Sequence, residues 1–255
     1  MLYQYVLKAS YGNDSCALIQ WAHEQGLRDV AVLYNDTGWA QRDWLARVEQ
    51  KEAWVKSLGF VPHRTRSIGL EQLVKNKKSW PRQGMQFCTA ELKIRPTEEW
   101  YTICDPLSLA VTLIGVRREE SKNRATFPEF SVNNGHTIWA PLVNHSEMER
   151  DRLIANTGEF PLSYRSLECF PCINSNRENI LQLAGDEERI ADIEAIETEM
   201  GFTAEGKPRT MFRPYRYMGA TGIRQVVRWA KSKRGKFNLD DGNESSGCEA
   251  GWCGH

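Results

Sequence analysis

The sequence has no net charge: 33 Lys and Arg are matched by 33 Asp and Glu. It therefore lacks the basic excess that would by itself indicate nucleic-acid binding, and only a local patch could supply one. It also lacks any run of about 18 apolar residues, and its start lacks the apolar stretch of a secretory leader. Both absences predict a soluble, cytoplasmic protein with no membrane partner. No internal repeat is present. The histidines show no metal-ligand spacing, so His23, His63, His136 and His145 read as structural or solvated. The seven cysteines are an odd number in a chain expected to be cytoplasmic. That argues against a disulfide framework and turns the question to metal, cluster or sulfur chemistry.

What is present bounds the fold. A chain of 255 residues that is 41% hydrophobic can bury one large α/β core, with room for a smaller C-terminal element. Leu2 to Ala9 reads as a strand, Ser15 to Gln25 as a helix stopped by Gly26, and Val30 to Tyr34 as a second strand. Trp39 to Leu58 is a long amphipathic helix closed by Gly59, and Val61 to Ser67 a third strand. Leu109 to Val116 is the clearest buried strand. Strands alternating with helices of this length predict βαβ units: a doubly wound, mainly parallel sheet. From Ser146 the texture changes. A helix over Ser146 to Thr157 precedes the tight turn Cys169-Phe-Pro-Cys172, a stretch from Arg177 to Met200 rich in Glu and in Ile, Leu and Ala, and a last helix over Thr221 to Lys233. The expected division is a nucleotide-binding domain over 1–160, a helical part over 161–235, and a tail over 236–255 that carries Cys248 and Cys253.

Ser10-Tyr-Gly-Asn-Asp-Ser15, between the first strand and the first helix, has a clear physical use. Gly12 lets the backbone approach an anion closely, and the amides at the helix start point at it. Ser10 and Ser15 add hydroxyls, and Asp14 caps the loop or holds Mg²⁺. The ordinary reading of the same residues is a strand–helix turn with Asp14 or Ser15 as N-cap. The Gly-Lys-Ser/Thr ending of a Walker A loop is missing, which excludes a kinase or GTPase reading.

The loop resembles the Ser-Gly-Gly-x-Asp-Ser signature of the N-type ATP pyrophosphatases, with Tyr11 in place of the first glycine. The similarity extends to the branch that contains the phosphoadenylyl-sulfate reductases. Asn35-Asp36-Thr37-Gly38 resembles that branch's adenosine-side turn. Gly115-Val-Arg-Arg-Glu-Glu-Ser121 with Arg124 resembles its Gly-x-Arg-x-x-Glu-Ser-x-x-Arg segment, and Pro141-Leu142 and Pro161-Leu-Ser-Tyr164 also fit. The resemblance implies an adenine nucleotide alpha hydrolase-like fold. It implies a nucleotide site built from Ser10, Gly12, Asn13, Asp14, Ser15, Asp36, Thr37, Gly115 and Arg118, with Asp14, Lys93, Arg117 and Arg124 in catalytic roles. Arginine suits bidentate phosphate contacts, although each single one reads equally well as a solvated charge.

Cys88-Thr-Ala-Glu-Leu-Lys93-Ile-Arg-Pro96 resembles a stretch of the sulfurtransferase subunit of DNA phosphorothioation systems (the DndC type). Sulfonucleotide reductases that carry a [4Fe–4S] cluster have a Cys-Cys pair there and a later Cys-x-x-Cys. Phe87 stands in place of the first cysteine, which leaves Cys88, Cys169 and Cys172 as cluster ligands. A fourth would come from Cys248 or Cys253, or one iron would stay open. Cys16 and Cys104 read as core.

The reading that follows is an ATP pyrophosphatase. It adenylates a DNA backbone phosphate with ATP and Mg²⁺, for sulfur insertion with a cysteine desulfurase and other DNA-modification subunits. The alternatives are a reductase of phosphoadenylyl or adenylyl sulfate, a tRNA-type thiolase, and a non-enzymatic adapter that binds nucleotide and a desulfurase. The intact Asp14-Ser15 pair favours ATP cleavage, because reductases of this branch have a degraded loop. Lys75, Lys77 and Lys78, and Lys231, Lys233, Arg234 and Lys236, are runs that could meet phosphates but read mainly as solvated faces.

Overall fold

Val6 and Leu7 are wholly buried in β1 (Tyr5–Lys8), and β2 (Val30–Asp36) is buried along all but its last residue. Such continuous apolar runs belong to strands covered on both faces. The computed structural model describes residues 3–82, 84–212 and 221–232. The expectations for Cys248, Cys253, Lys233, Arg234 and Lys236 lie outside the described residues. Between β1 and β2 runs α1 (Asn13–Glu24), and α2 (Trp44–Ser57) leads into β3 (Val61–Arg66). Then follow α3 (Leu70–Lys77), α4 (Phe87–Thr89), a π-helical turn (Ala90–Ile94) and α5 (Arg95–Cys104). β4 (Val111–Leu113) is shorter than the apolar run around it. Leu109 is exposed, and beyond Leu113 the chain leaves the ladder after Ile114 N–H donates to the Trp139 carbonyl at 3.0 Å.

A hairpin completes the sheet: β5 (Phe130–Asn133) and β6 (His136–Trp139) pair antiparallel through Asn134-Gly135, both at positive φ. This is the turn chemistry that two-residue hairpins require. The hairpin falls outside the strands expected from apolar runs because its residues alternate between exposed and covered. The sheet order is β3-β2-β1-β4-β6-β5, with every pair parallel except β5–β6. This is the expected doubly wound, mainly parallel α/β fold. The chain winds outward from β1 to β3 on one side, then starts again at β4 on the other. The C-terminal ends of β1 and β4 therefore part at a switch point, where such sheets leave a crevice for ligands.

The C-terminal part is helical, with α6 (Glu147–Ala155), α7 (Arg177–Leu183), α8 (Glu187–Met200) and α9 (Ile223–Lys231). Ser146 and Glu149 form a capping box at the start of α6. The Arg177–Met200 stretch breaks at Ala184-Gly185, where Asp186 starts α8 by accepting from Arg189 N–H. Glu197 then accepts from the amides of Met211 and Ile223, both at 2.9 Å, and so ties α8 to the start of α9. Ile180, Leu183, Ile193, Val226 and Ala230 belong to the same buried cluster as Leu7, Leu18 and Val32. The helices thus share the core of the sheet, each such Leu or Ile contributing roughly 1.5–3 kcal/mol of apolar burial. Among the described residues, no helix is long and apolar enough to cross a membrane.

Candidate functional site

The loop after β1 is held from behind. Trp44 Nε1 donates to the Ser10 carbonyl at 3.2 Å, and Arg47 Nε to the Tyr11 carbonyl at 3.0 Å. Gly12 N–H donates to Ser10 Oγ at 3.3 Å, and Ser15 Oγ–H to the Gly12 carbonyl at 3.2 Å. Tyr11 has φ 60°, the left-handed conformation that explains the glycine found there in the similar signature. Its ring is fully buried and stacks on Tyr34 at 5.8 Å, which holds a non-glycine residue in this conformation. Helix α1 begins at Asn13 with no side-chain cap, so its first amides are left for a ligand or water.

Loop and β4 meet at Gly115. A Cβ there would lie 3.0 Å from the Asp14 carbonyl oxygen and 3.1 Å from its carbon. Gly115→Ala is therefore expected to push the start of α1 off the sheet at a cost of about 1–3 kcal/mol. Urea unfolding measures it, and an unchanged midpoint would contradict the contact.

Asp14 is not left open to a metal ion. It accepts from buried Arg117 Nε at 2.6 Å, and Arg150 Nη1 on α6 lies 4.0 Å away. Two cations stand where Mg²⁺ would need further anions, so the Mg²⁺ expectation has no support at Asp14. Arg117 is also gripped by Glu119 and Glu120, and Arg124 pairs with Glu120. Arg118 is turned away, donating to the Phe127 carbonyl at 2.9 Å and to Asn144 Oδ1 at 2.6 Å. Asn13 clamps Leu162, donating to its carbonyl at 2.9 Å and accepting from its N–H at 2.8 Å. Asp36 accepts from Gly38 N–H at 3.0 Å, and buried Thr37 donates to the Glu168 carbonyl at 2.8 Å. Asp36 and Thr37 thus shape the turn after β2 and moor the Glu168 segment beside it.

The Asn13 clamp folds residues 162–166 over the start of α1 and encloses a cleft of about 510 Å³. Asn13 and Asp14 line it, as do Arg150, Tyr164, Arg165 and Asn179. Arg150 and Arg165, which motif spacing did not single out, are the arginines of this cleft. Arg150 lies four residues beyond the Ser146 cap, but helical spacing alone does not say that this face looks at Asp14.

A smaller cavity of about 40 Å³ adjoins the cleft and shares Arg165, Ser166 and Asn179 with it. It is lined by Lys93, Glu168, Cys169 and Cys172. Lys93 and Glu168 form a buried ion pair. Burial pushes the Lys93 ammonium down, but Glu168 and the neighbouring sulfurs more than offset it, so the pKa is raised. Cys169 and Cys172 are hydrogen-bonded to one another, and Cys172 Sγ also accepts from Asn174 N–H at 3.5 Å. These bonds, with Lys93 and Arg165 nearby, outweigh burial and pull the Cys172 thiol down to about 6, whereas Cys169 is pushed well up. Burial raises Cys88 on α4 to about 11. Alkylation of Cys172 by iodoacetamide is therefore expected to rise through about pH 6 and level off, because the thiolate is the reactive form. A rate that climbs steadily to pH 9 would contradict this.

The structure thus brings Cys88, Cys169 and Cys172 to one place. Phe87 packs against the core where the cluster-bearing relatives have a further cysteine, and the other candidate ligands, Cys248 and Cys253, lie outside the described residues, so the [4Fe–4S] expectation has no support. Among the described residues, no group of three or more His, Cys, Asp or Glu is placed to hold a metal ion.

Comparison with known proteins bears on the activity. Residues 4–187 match the model of the phosphoadenosine phosphosulfate reductase domain. A phosphoadenosine 5'-phosphosulfate reductase of Photobacterium profundum is 22% identical over 164 residues, which cover 64% of this chain and 62% of the relative. The corresponding protein of Vibrio atlanticus is 23% identical over 163 residues, covering 64% and 61%. The chain therefore spans less than two thirds of the length of these curated relatives. Among solved structures, a phosphoadenylyl-sulfate reductase of Candida auris aligns with TM-score 0.47 at 14% identity, covering 63% of this chain and 75% of that one. NMN synthetase from Francisella tularensis aligns with TM-score 0.46 at 14% identity, covering 92% and 87%.

The expectation of DNA adenylation for phosphorothioation is overturned by the curated relatives, which are named as reductases. The structure supplies the reason that expectation misled. The Asp14-Ser15 pair, taken as the mark of ATP cleavage, spends Asp14 on Arg117 and the Ser15 hydroxyl on the Gly12 carbonyl. Its presence does not require ATP chemistry. By the match over most of its length, the chain belongs to the phosphoadenosine phosphosulfate reductase domain family.

Proposed function

We propose that this protein binds a sulfated adenosine nucleotide, of the phosphoadenylyl-sulfate type, and reduces it with thiol electrons to sulfite and the desulfated nucleotide. The observation that carries the reading is the adjoining of two cavities through Arg165, Ser166 and Asn179. One has the start of α1 and two arginines, which suit phosphate oxygens; the other has paired thiols beside a lysine. The names of the curated relatives support the same reading. Arg150 and Arg165 would hold the phosphate charge, and the amides at Asn13 and Asp14 would face it.

The test is sulfite release by the purified full chain supplied with 3'-phosphoadenylyl sulfate and a dithiol, with adenylyl sulfate as comparator. Sulfite from either nucleotide is the expected result, and the ratio of the two rates shows whether the 3'-phosphate is read. No sulfite from either, or pyrophosphate release from ATP in its place, would overturn the proposal.

A further inference from the structure

The two edges of the sheet are built differently. β3, at one edge, carries Pro62, Arg64 and Arg66, residue types that keep an edge strand from pairing with another chain. β5, at the other, reads Phe130-Ser-Val-Asn133 and has neither proline nor charge. Its pairing with β6 fixes which of its main-chain groups face outward. Ala140 N–H donates to the Glu129 carbonyl at 2.8 Å, and the two-residue turn closes on Asn133 and His136. Bonded residues alternate along an antiparallel pair, so Glu129, Ser131 and Asn133 are the ones that bond across to β6. The N–H and C=O groups of Phe130 and Val132 point the other way and have no partner among the described residues. Both side chains are also in the open, Phe130 59% and Val132 72% exposed. Phe130 ends an aromatic row: Trp21 meets Trp139 edge-on at 5.2 Å, and Trp139 stacks on Phe130 at 5.6 Å.

We infer that β5 is the pairing surface for a second copy of this chain, joined antiparallel about a two-fold axis at Ser131. The strand is complementary to itself in this register. Phe130 falls opposite the second copy's Val132, and Val132 opposite its Phe130, so the outward groups of each pair exchange two N–H···O=C bonds. The same pairs set an aromatic ring against a β-branched side chain, a favourable cross-strand combination, and carry the aromatic row across the axis. Ser131 faces the second copy's Ser131 at the unbonded position, where side chains approach most closely. Glu129 falls opposite the amide of the second copy's Asn133, so no like charges meet. A slip by one residue would set the outward groups against ones already bonded to β6. The contact is isologous and closes at two copies. A pair of strands this short buries less than the roughly 1,200–2,000 Å² of a stable interface, so the dimer is expected to dissociate in the micromolar range. The axis stands normal to the sheet, so the parallel strands of the two copies run in opposite directions and their clefts open at opposite ends. Each cleft stays complete within its own chain, and the inference does not depend on the reductase reading.

The test is sedimentation velocity of the full chain over a range on the order of 1–200 μM, which brackets that affinity. The parent is expected to pass from monomer to dimer as its concentration rises. Ser131→Lys and Ser131→Glu each place like charges opposite one another across the axis, and each is expected to remain monomeric at every concentration. An equimolar mixture of the two places opposite charges there and is expected to form the dimer again. Val132→Pro removes one outward amide and none of those that bond β6, and it too is expected to remain monomeric. Thermal melting midpoints of the variants, compared with that of the parent, show that they have folded, and Val132→Pro decides the matter should a charged variant fail to fold. A parent that stays monomeric throughout would overturn the inference. So would a dimer that the charged variants and Val132→Pro all leave intact, because another face would then hold it. Assemblies larger than two copies would overturn the two-fold pairing.

Discussion

Arg117→Ala is expected to destabilise the protein by about 3 kcal/mol, near the lower end of the roughly 3–5 kcal/mol seen when one partner of a buried ion pair is removed. Arg117 and Asp14 are both buried, and their contact is 2.6 Å. Truncating the arginine leaves a carboxylate at the switch point with one remaining cation, Arg150 at 4.0 Å, and that cation keeps the loss from being larger. Removing both charges, in the Arg117→Ala, Asp14→Asn double variant, is expected to restore part of the stability, because no uncompensated charge is then buried. A double-mutant cycle by urea unfolding measures the coupling. A single-variant loss below about 1 kcal/mol would place this pair with exposed surface pairs and refute the buried reading. Function should fall along with stability: Arg117 ties β4 to the start of α1, so its loss is expected to loosen the amides that face the cleft.

Tyr11 allows a second large effect, with opposite signs in two variants. Tyr11→Gly removes a wholly buried aromatic ring, at a cost of about 3–5 kcal/mol on the scale of Phe→Ala changes, and relieves a left-handed conformation that costs roughly 1–2 kcal/mol. The net expectation is a loss of about 2–3 kcal/mol, even though the change restores the glycine of the similar loop signature. Tyr11→Phe keeps the ring and removes a buried hydroxyl that has no hydrogen-bond partner among the described residues. It is expected to stabilise by about 1 kcal/mol, the order of the desolvation cost of an unpaired hydroxyl. If Tyr11→Gly proved the more stable of the two, the stacked ring on Tyr34 would not be what holds the loop.

The sulfur site shows what a family resemblance can carry and what it leaves to the fold. Cys88, Cys169 and Cys172 converge, as the similar cluster-bearing reductases imply. Phe87 stands where those reductases have a further cysteine, and the remaining candidates, Cys248 and Cys253, lie outside the described residues. A count of ligands could be read from the residues. Which side chains surround those sulfurs could not.

Local pattern was enough for much of the frame. Apolar runs marked β1, β2 and the core of β4. Gly12 and the strand–helix boundary marked the loop before α1, and the break in texture near Ser146 marked the helical C-terminal part. These features depend on neighbours a few residues apart, so they are written in the order of the residues. The β5–β6 hairpin was hidden from that reading, since only one face of each strand is covered. What each charged side chain does was hidden as well. Arg118 and Arg117 are adjacent, yet one turns to Phe127 and Asn144 while the other grips Asp14, 103 residues away. Arg150 and Arg165 reach the cleft because α6 and the Asn13–Leu162 clamp fold over α1. Contacts of that span are decided by packing across the sheet, where burial forces each charge to find a partner, and sequence spacing carries no record of which partner that will be.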